Sequence, residues 1–205
     1  MKRLLLALLL SLSAWAQPGT LTPLPQFKDQ APALTQVTKV RLVTTQGNIL
    51  IELYPQAAPN ACGRFTELVQ KGFYDFTPVF RVVPNFVCQF GINWRGPFPD
   101  YQNNNFKDDP SYFALAPGTL AFAKAGPDTN STQIFINYQD NSRLVQQGNF
   151  TAFGRVTEGL EVALSFPAVG DPGMGLDQDL MWGKGDVYLK KLPKQPAYIL
   201  FAEVL

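Results

Sequence analysis

Apolar and polar residues alternate along two neighbouring stretches of the chain, which is the pattern of paired β-strands. In VRLVTTQGNILIELYP, residues 40–55, every second position is apolar on both sides of Gln46-Gly47-Asn48, a sequence typical of a tight turn. We therefore predict a β-hairpin. The residues predicted to face inward are Val40, Leu42, Ile49, Ile51 and Leu53.

The next stretch, APNACGRFTELVQKGFY, changes to the period of a helix. Pro59 suits a first helical turn, and Gly72 suits the position just after the last turn. This predicts one amphipathic helix. Its apolar face consists of Ala61, Phe65, Leu68 and Val69.

The rest of the chain contains more strand-like runs and one further helical pattern, with no alternation of strands and helices and no repeat. This order favours a mainly β fold, a closed antiparallel barrel whose ends are covered by two α-helices, although a β-sandwich fits the same pattern. The strand-like runs are 76–90, 119–125, 133–138, 149–156 and a final run near AYILFAEVL, the helical pattern is 158–166, and GDPGMGLDQD (170–179) is predicted to be a loop.

The N-terminus has the features of a secretory signal peptide. Lys2 and Arg3 precede an apolar run, and Ala14 and Ala16 frame a cleavage point. The run is shorter than the ~20 residues that a membrane-spanning helix needs. We predict a signal peptide at residues 1–16, a proline-rich extended leader at 17–37 and one domain at 38–205, and we expect an exported protein, periplasmic or secreted.

Charge and composition exclude several classes of protein. Loss of Lys2 and Arg3 with the signal peptide leaves 15 basic against 16 acidic residues, so no basic surface for nucleic acid is expected, nor any membrane insertion after cleavage. The 205-residue chain has no histidine, which excludes Ser-His-Asp and Cys-His catalysis and most zinc hydrolases. We expect no cofactor and no metal.

Other reactive residues have structural explanations. Cys62 and Cys88 could pair in an oxidising compartment or could both be small buried residues, and the sequence leaves these alternatives open. Asp108-Asp109 is predicted to cap a turn. The three aspartates of the glycine-rich loop, Asp171, Asp177 and Asp179, fit no calcium-loop template.

A polar pair lies within the apolar run FRVVPNFVCQFG, residues 80–91. A buried unpaired guanidinium costs several kcal/mol, so Arg81 must find an acidic partner, extend to solvent or point into a cavity. Alternation places Gln89 on the same face as Val87, and nominally Arg81 too, although Pro84-Asn85 can break the register. It places Phe86 on the opposite face with Cys88 and Phe90; likewise Gln133 and Phe135 share a face.

Three segments resemble the cyclophilin family of peptidyl-prolyl isomerases, in the order of that family: FYDFTPVFRVVPNFVCQFG, AFAKAGPDTNSTQIFI and FTAFGRVTEGLEV. The resemblance spans roughly residues 38–205. It implies an eight-stranded antiparallel barrel capped by two helices, with an outer apolar groove for a proline side chain. It also implies a peptidyl-prolyl cis-trans isomerase that acts on proline-containing peptides and unfolded proteins and assists the folding of exported proteins, and we expect a monomer.

The family pattern can be carried over residue by residue. It implies that the catalytic residues are Arg81 and Gln89 and that the substrate-binding residues are Phe86, Val87, Ala123, Lys124, Gln133, Phe135, Leu144 and Phe150. The chain departs from the family at Phe80, Phe90, Ile92, Lys124, Ser131-Thr132 and Phe150. We expect differences in specificity first at Phe80 and Phe90.

The absence of histidine agrees with this reaction, because rotation about an X-Pro bond makes no bond and moves no proton. Two other functions remain as alternatives at this point. One is a proline-binding interaction module on the same scaffold with little or no turnover. The other is a hydrolase or carbohydrate-binding barrel that uses paired carboxylates, although no such pair occurs in the recognisable segments.

Overall fold

The computed structural model describes residues 31–205, and within them eight antiparallel strands close into a barrel in the order β1-β2-β7-β5-β6-β4-β3-β8. This confirms the predicted barrel over the sandwich. The predicted signal peptide and the leader up to residue 30 lie outside the described residues. The strands are β1 (Thr38–Thr44), β2 (Gly47–Leu53), β3 (Thr77–Val83), β4 (Val87–Phe90), β5 (Thr119–Phe122), β6 (Ile134–Asn137), β7 (Gly154–Glu158) and β8 (Tyr198–Val204).

The predicted hairpin is formed by β1 and β2, which pair from Thr38 with Leu53 to Thr44 with Gly47. All five residues predicted to face inward are buried. Gly47, the first residue of β2, directly follows the two-residue turn Thr45-Gln46 and has a φ of +137°, a conformation that favours glycine. The alternating pattern therefore set the register correctly, because a shift of one residue would expose the whole apolar face.

Four α-helices lie within residues 31–205, two more than predicted. They are α1 (Pro59–Gln70), α2 (Arg143–Gly148), α3 (Leu160–Leu164) and α4 (Gln178–Lys190). The predicted helices correspond to α1 and α3. Helix α1 begins at Pro59 and ends before Gly72, whose φ is +69°. Its predicted apolar face is buried against the barrel.

Helices α2 and α4 were not predicted, for different reasons. Helix α2 has only six residues, too few to show a helical period. Helix α4 is interrupted at Lys184, where φ is −148°, so its apolar residues do not keep one continuous face. The Asp177 side chain caps α4 by accepting a hydrogen bond from Leu180 N at 2.8 Å, a start signal that the sequence does contain.

A separate apolar cluster lies between the barrel and α4. Phe80 and Ile92 are fully buried there against Leu176, Met181 and Leu189. None of the helices between residues 31 and 205 has the length and apolar character needed to span a bilayer. Cys62 and Cys88 are both free and both buried, so the alternative of a disulfide between them is not realised.

Candidate functional site

A groove of about 380 Å³, which we call the Arg81 groove, lies on the outside of the barrel. It is lined by strands β3, β4 and β6, the residues that follow β5, helix α2, and the loop before α4 with the first residue of that helix. Nine of the ten predicted site residues line it. A side groove of about 330 Å³ adjoins it and is lined by Gln133, the tenth predicted residue, together with Gln89, Ala123 and Lys124. The Arg81 groove is lined by Arg81, Phe86, Val87, Gln89, Ala123, Lys124, Phe135, Leu144, Phe150, Met174 and Gln178.

The β3–β4 hairpin places Arg81 directly opposite Gln89, because these residues are partners in its register. Directly opposite residues of an antiparallel pair point to the same side of the sheet. The chain turns at Asn85, which has a φ of +56°. The run FRVVPNFVCQFG is therefore two strands and a turn.

The turn also corrects the prediction for Phe86. Alternation places Phe86 on the face of Cys88 and Phe90, but Phe86 lies before the first residue of β4 and lines the Arg81 groove. Cys88 and Phe90, which alternation places on one face together, both belong to the barrel core. Strand alternation does not apply to Phe86 because it is a turn residue.

Four polar side chains form a chain of hydrogen bonds along the groove. Arg81 Nη1 donates to Gln89 Oε1 at 3.1 Å, Gln89 Nε2 donates to Gln133 Oε1 at 2.7 Å, and Gln133 Nε2 donates to Gln178 Oε1 at 2.9 Å. Gln89 and Gln133 each use the amide oxygen as acceptor and the amide nitrogen as donor, so the chain has one direction. Arg81 is thereby bonded directly to Gln89 and linked through it to Gln133 and Gln178, which come from two other parts of the fold.

The guanidinium of Arg81 is held by neutral acceptors. Its Nε donates to the carbonyl of Gly173 at 2.7 Å. No carboxylate in the described range 31–205 forms an ion pair with it. Partial burial lowers the pKa of Arg81 from its usual value, yet arginine stays protonated in proteins. The positive charge therefore remains available to a ligand in the groove.

The floor of the groove is apolar. Val87 and Phe135 are 2% and 5% exposed, and the rings of Phe135 and Phe150 meet edge to face with centroids 5.9 Å apart. Helix α2 supplies Leu144. The Arg81 guanidinium carbon lies 5.7 Å from the centroid of Phe86, within the range of a cation–π contact.

One wall of the groove contains a buried ion pair that involves Lys124. Its amine donates to Asp108 Oδ2 at 2.5 Å, and the two side chains are 3% and 14% exposed. Asp109 accepts hydrogen bonds from Asn60 N and Ala61 N at 3.2 and 2.8 Å. The prediction that these aspartates cap a turn is thus corrected: Asp109 caps the first turn of α1, and Asp108 neutralises Lys124.

Two groove residues, Met174 and Gln178, were missed by sequence reasoning. Met174 lies in the stretch predicted to be a loop, and Gln178 is the first residue of α4. The capping aspartate Asp177 could have indicated the start of α4. No local signal indicates that this segment reaches the groove, because its contact with Arg81 spans 92 residues of sequence.

The sequence model of the family described as cyclophilin type peptidyl-prolyl cis-trans isomerase/CLD matches residues 39–172. The chain belongs to the cyclophilin family. This confirms the predicted family and the predicted class of enzyme, a peptidyl-prolyl cis-trans isomerase. The match spans seven of the eight strands and ends before α4, so the segment that supplies Met174 and Gln178 lies beyond it.

Curated relatives and solved structures agree with this assignment. Peptidyl-prolyl cis-trans isomerase-like 1 of Gibberella zeae is 38% identical over 128 residues, 60% of this chain and 77% of that protein. A peptidyl-prolyl cis-trans isomerase of Schizosaccharomyces pombe is 40% identical over 131 residues, 62% of this chain and 83% of that protein. A cyclophilin type isomerase from Cryptosporidium parvum shares the fold at 22% identity, with a TM-score of 0.63 over 83% of this chain and 98% of that chain.

Two departures from the cyclophilin pattern are explained by packing against helix α4. Phe80 and Ile92 are apolar because α4 covers them. Phe90 is 1% exposed and lies in the barrel core. Neither Phe80 nor Phe90 lines the Arg81 groove, so neither contacts a ligand bound there directly; the expectation that specificity differs first at these two residues stays a prediction.

Proposed function

We propose that this cyclophilin isomerises X-Pro bonds in the Arg81 groove, with Arg81 as the catalytic residue and with the proline ring on the apolar floor. The observation that carries the proposal is the position of an uncompensated guanidinium at the edge of that floor. Arginine has five N–H donors, and Gln89 and Gly173 occupy two of them. The others are free, within the described chain, to meet a peptide.

The reaction requires stabilisation of a twisted amide. The barrier to rotation is about 20 kcal/mol because the partial double bond of the amide must be broken. In the twisted state the prolyl nitrogen becomes pyramidal and its lone pair can accept a hydrogen bond. In the planar ground state this lone pair is delocalised and is a much weaker acceptor. A donor from Arg81 that is already held in place by Gln89 would therefore stabilise the transition state more than the ground state.

Shape and polarity support a proline-containing peptide as the ligand. Val87, Phe135, Phe150 and Leu144 form a surface suited to a pyrrolidine ring, and Ala123 and Lys124 border it at the edge of β5. Gln89 and Gln133 would orient Arg81 or a peptide carbonyl. A related Cryptosporidium parvum cyclophilin was crystallised in the presence of the dipeptide Ala-Pro.

We also propose that the clients are exported proteins. The N-terminal sequence supports export, because it has the charged start, apolar run and small residues of a signal peptide. Uncatalysed X-Pro isomerisation takes tens of seconds or longer and can limit folding. An isomerase outside the cytoplasm would accelerate this step in newly exported chains.

The test is the cis-to-trans rate of an Ala-Pro peptide with wild-type protein and with Arg81→Ala. We expect Arg81→Ala to keep its fold and to lose about 100-fold in kcat/KM, the size of effect seen when one preorganised donor is removed. Arg41→Ala is the matched control, because Arg41 lies on β1, pairs with Glu203 and does not line the groove. Peptide binding without acceleration by the wild type would instead support the proline-binding module, and undiminished activity of Arg81→Ala would remove Arg81 from the mechanism.

A further inference from the structure

The loop between α3 and α4, residues 170–177, forms one wall of the Arg81 groove, and we call it the groove-wall loop. Its ends are joined by two backbone hydrogen bonds between Asp171 and Gly175, of 2.8 and 2.9 Å. Leu176 N donates to Phe80 O at 2.8 Å, which ties the loop to β3. The tip of the loop is therefore held against the strand that carries Arg81.

Glycine is required at two positions for this close approach. Gly170 and Gly175 both have a φ near the left-handed region, +74° and +79°. A Cβ at Gly175 would lie 2.4 Å from Phe80 O, and a Cβ at Gly170 would lie 2.1 Å from Gly175 O. The backbone of the loop can pack this tightly only without side chains at these points.

The tip of the loop contacts Arg81 and presents an apolar side chain beside it. Gly173 O accepts the hydrogen bond from Arg81 Nε. The next residue, Met174, lines the same groove and is 69% exposed. Its thioether chain buries little surface within the described protein, so a ligand in the groove would find it uncovered.

Met174 is not needed to complete the floor on which we place the proline ring. That floor is lined by Phe86, Val87, Phe135, Leu144 and Phe150. Met174 follows the residue bonded to Arg81, so it borders the groove on the side of the guanidinium. A peptide with its proline on the floor would bring a neighbouring side chain to this border.

We propose that Met174 is a specificity-determining residue that contacts the side chain next to the proline and favours apolar side chains there. This inference rests on the proposed function of the groove. An unbranched thioether adapts to both aliphatic and aromatic partners. A basic side chain at the same place would be repelled by the neighbouring guanidinium of Arg81.

The test measures kcat/KM for isomerisation by NMR exchange in two series of short proline peptides. One series varies the residue before proline among Gly, Leu and Phe, and the other varies the residue after it. Wild-type protein, Met174→Ala and Val187→Ala are compared. Val187 is the matched control, because it is an exposed apolar residue of α4 that does not line the groove.

We expect the wild type and Val187→Ala to favour Leu or Phe over Gly about threefold to tenfold in one series, a modest factor because Met174 covers a neighbouring side chain from one side only. In Met174→Ala the preference should fall below about twofold, because the rates for the Leu and Phe peptides fall more than the rate for the Gly peptide.

Three results would overturn the inference. An unchanged preference in both series would mean that Met174 does not contact the neighbouring side chain, and the isomerase assignment would stand. An equal loss for all peptides, Gly included, would indicate that Met174 acts only by supporting Arg81. Failure of the wild type to accelerate any peptide would overturn the proposed function and this inference together.

Discussion

Arg81 shows how the environment of a single residue decides what its charge can do. Its fixed partners are an amide oxygen and a backbone carbonyl, so its position is set while its charge is not neutralised. Lys124, in the same groove, is the opposite case. Its charge is compensated by Asp108, and both side chains are largely buried.

The Lys124–Asp108 pair leads to a prediction about stability. In Asp108→Asn, the amine of Lys124 stays buried without a counter-charge, so we expect the free energy of unfolding in urea to fall by about 3 kcal/mol. The comparison is Glu203→Gln, which removes one partner of the half-exposed pair with Arg41 and should cost less than about 1 kcal/mol. Equal losses in the two variants would contradict the idea that burial makes the Lys124–Asp108 pair important.

Whether the sequence could place a residue in the groove depends on whether local or distant contacts fix the position of that residue. Alternation along one run placed Arg81, Gln89 and Val87 on the same face, and they do lie together, although the run folds as a local hairpin and not as one strand. Met174 and Gln178 could not, because their place in the groove depends on a segment that returns to β3 across about 90 residues. The roles given to the site residues stay predictions until the variants are measured.

At the scale of elements, the segment from the groove-wall loop through α4 has two effects. It buries Phe80 and Ile92 on the outside of the barrel, and it holds the guanidinium of Arg81 through Gly173. The sequence predicted a loop in this region and no helix after it. The prediction failed because the kink at Lys184 disrupts the period of α4 and its short apolar stretches pack on both sides of that kink.

This arrangement predicts that Gly175→Ala impairs catalysis at a distance from the reacting atoms. The added Cβ would lie 2.7 Å from Arg81 Cβ, so the loop must move and Gly173 O would leave Arg81 Nε. We expect kcat to fall about tenfold, more than KM changes, together with a lower Tm, since a methyl group at a positive φ strains the backbone. Rates are measured well below the Tm of the variant.

The control for Gly175→Ala is Gly183→Ala in α4, where a Cβ would meet nothing within 4 Å. A helical alanine should leave kcat unchanged and raise the Tm slightly, because alanine favours the helix over glycine. If both variants lose kcat equally, the effect belongs to the mobility of the whole segment and the specific support of Arg81 is wrong.

At the scale of the whole molecule, the barrel closes when β8 pairs with both β1 and β3. The closed interior includes Cys62 and Cys88, whose burial raises the pKa of both thiols to about 12. At neutral pH both thiols are protonated, buried and inaccessible to reagents. We therefore expect both thiols to be unreactive while the protein is folded.

The buried thiols predict a loss of stability at alkaline pH. The unfolded chain releases the thiol protons near pH 9, whereas the native state holds them up to about pH 12. Their contribution to the free energy of unfolding is therefore complete below pH 9 and is lost as the pH rises from 9 to 12. Burial raises the pKa of Tyr54 to about 12 as well, which acts in the same direction.

The measurement is urea unfolding at pH 8 and pH 10.5 under reducing conditions. We expect lower stability at pH 10.5, with a smaller decrease in the Cys62→Ala/Cys88→Ala double variant. Iodoacetamide at pH 8 should alkylate neither thiol in the native protein and both thiols in guanidinium chloride at about 6 M. Most domains are unfolded at that concentration. Rapid labelling of the native protein would show that the barrel opens readily.

The sequence by itself determined the elements whose pattern is local, namely the β1–β2 hairpin, helix α1 and most of the strands. Their apolar faces are set by the period of the chain, and burial of those faces stabilises the elements wherever they lie. Family resemblance also supplied the ten candidate residues. Nine of these line the Arg81 groove, and Gln133 lines the side groove beside it.

The tertiary structure decided what depends on contacts between distant segments. These are the hydrogen-bonded chain from Arg81 through Gln89 and Gln133 to Gln178, the burial of Phe80 under α4, and the presence of Met174 in the groove. No local period encodes such contacts, because their free energy arises only when the barrel has closed and brings the separate segments together.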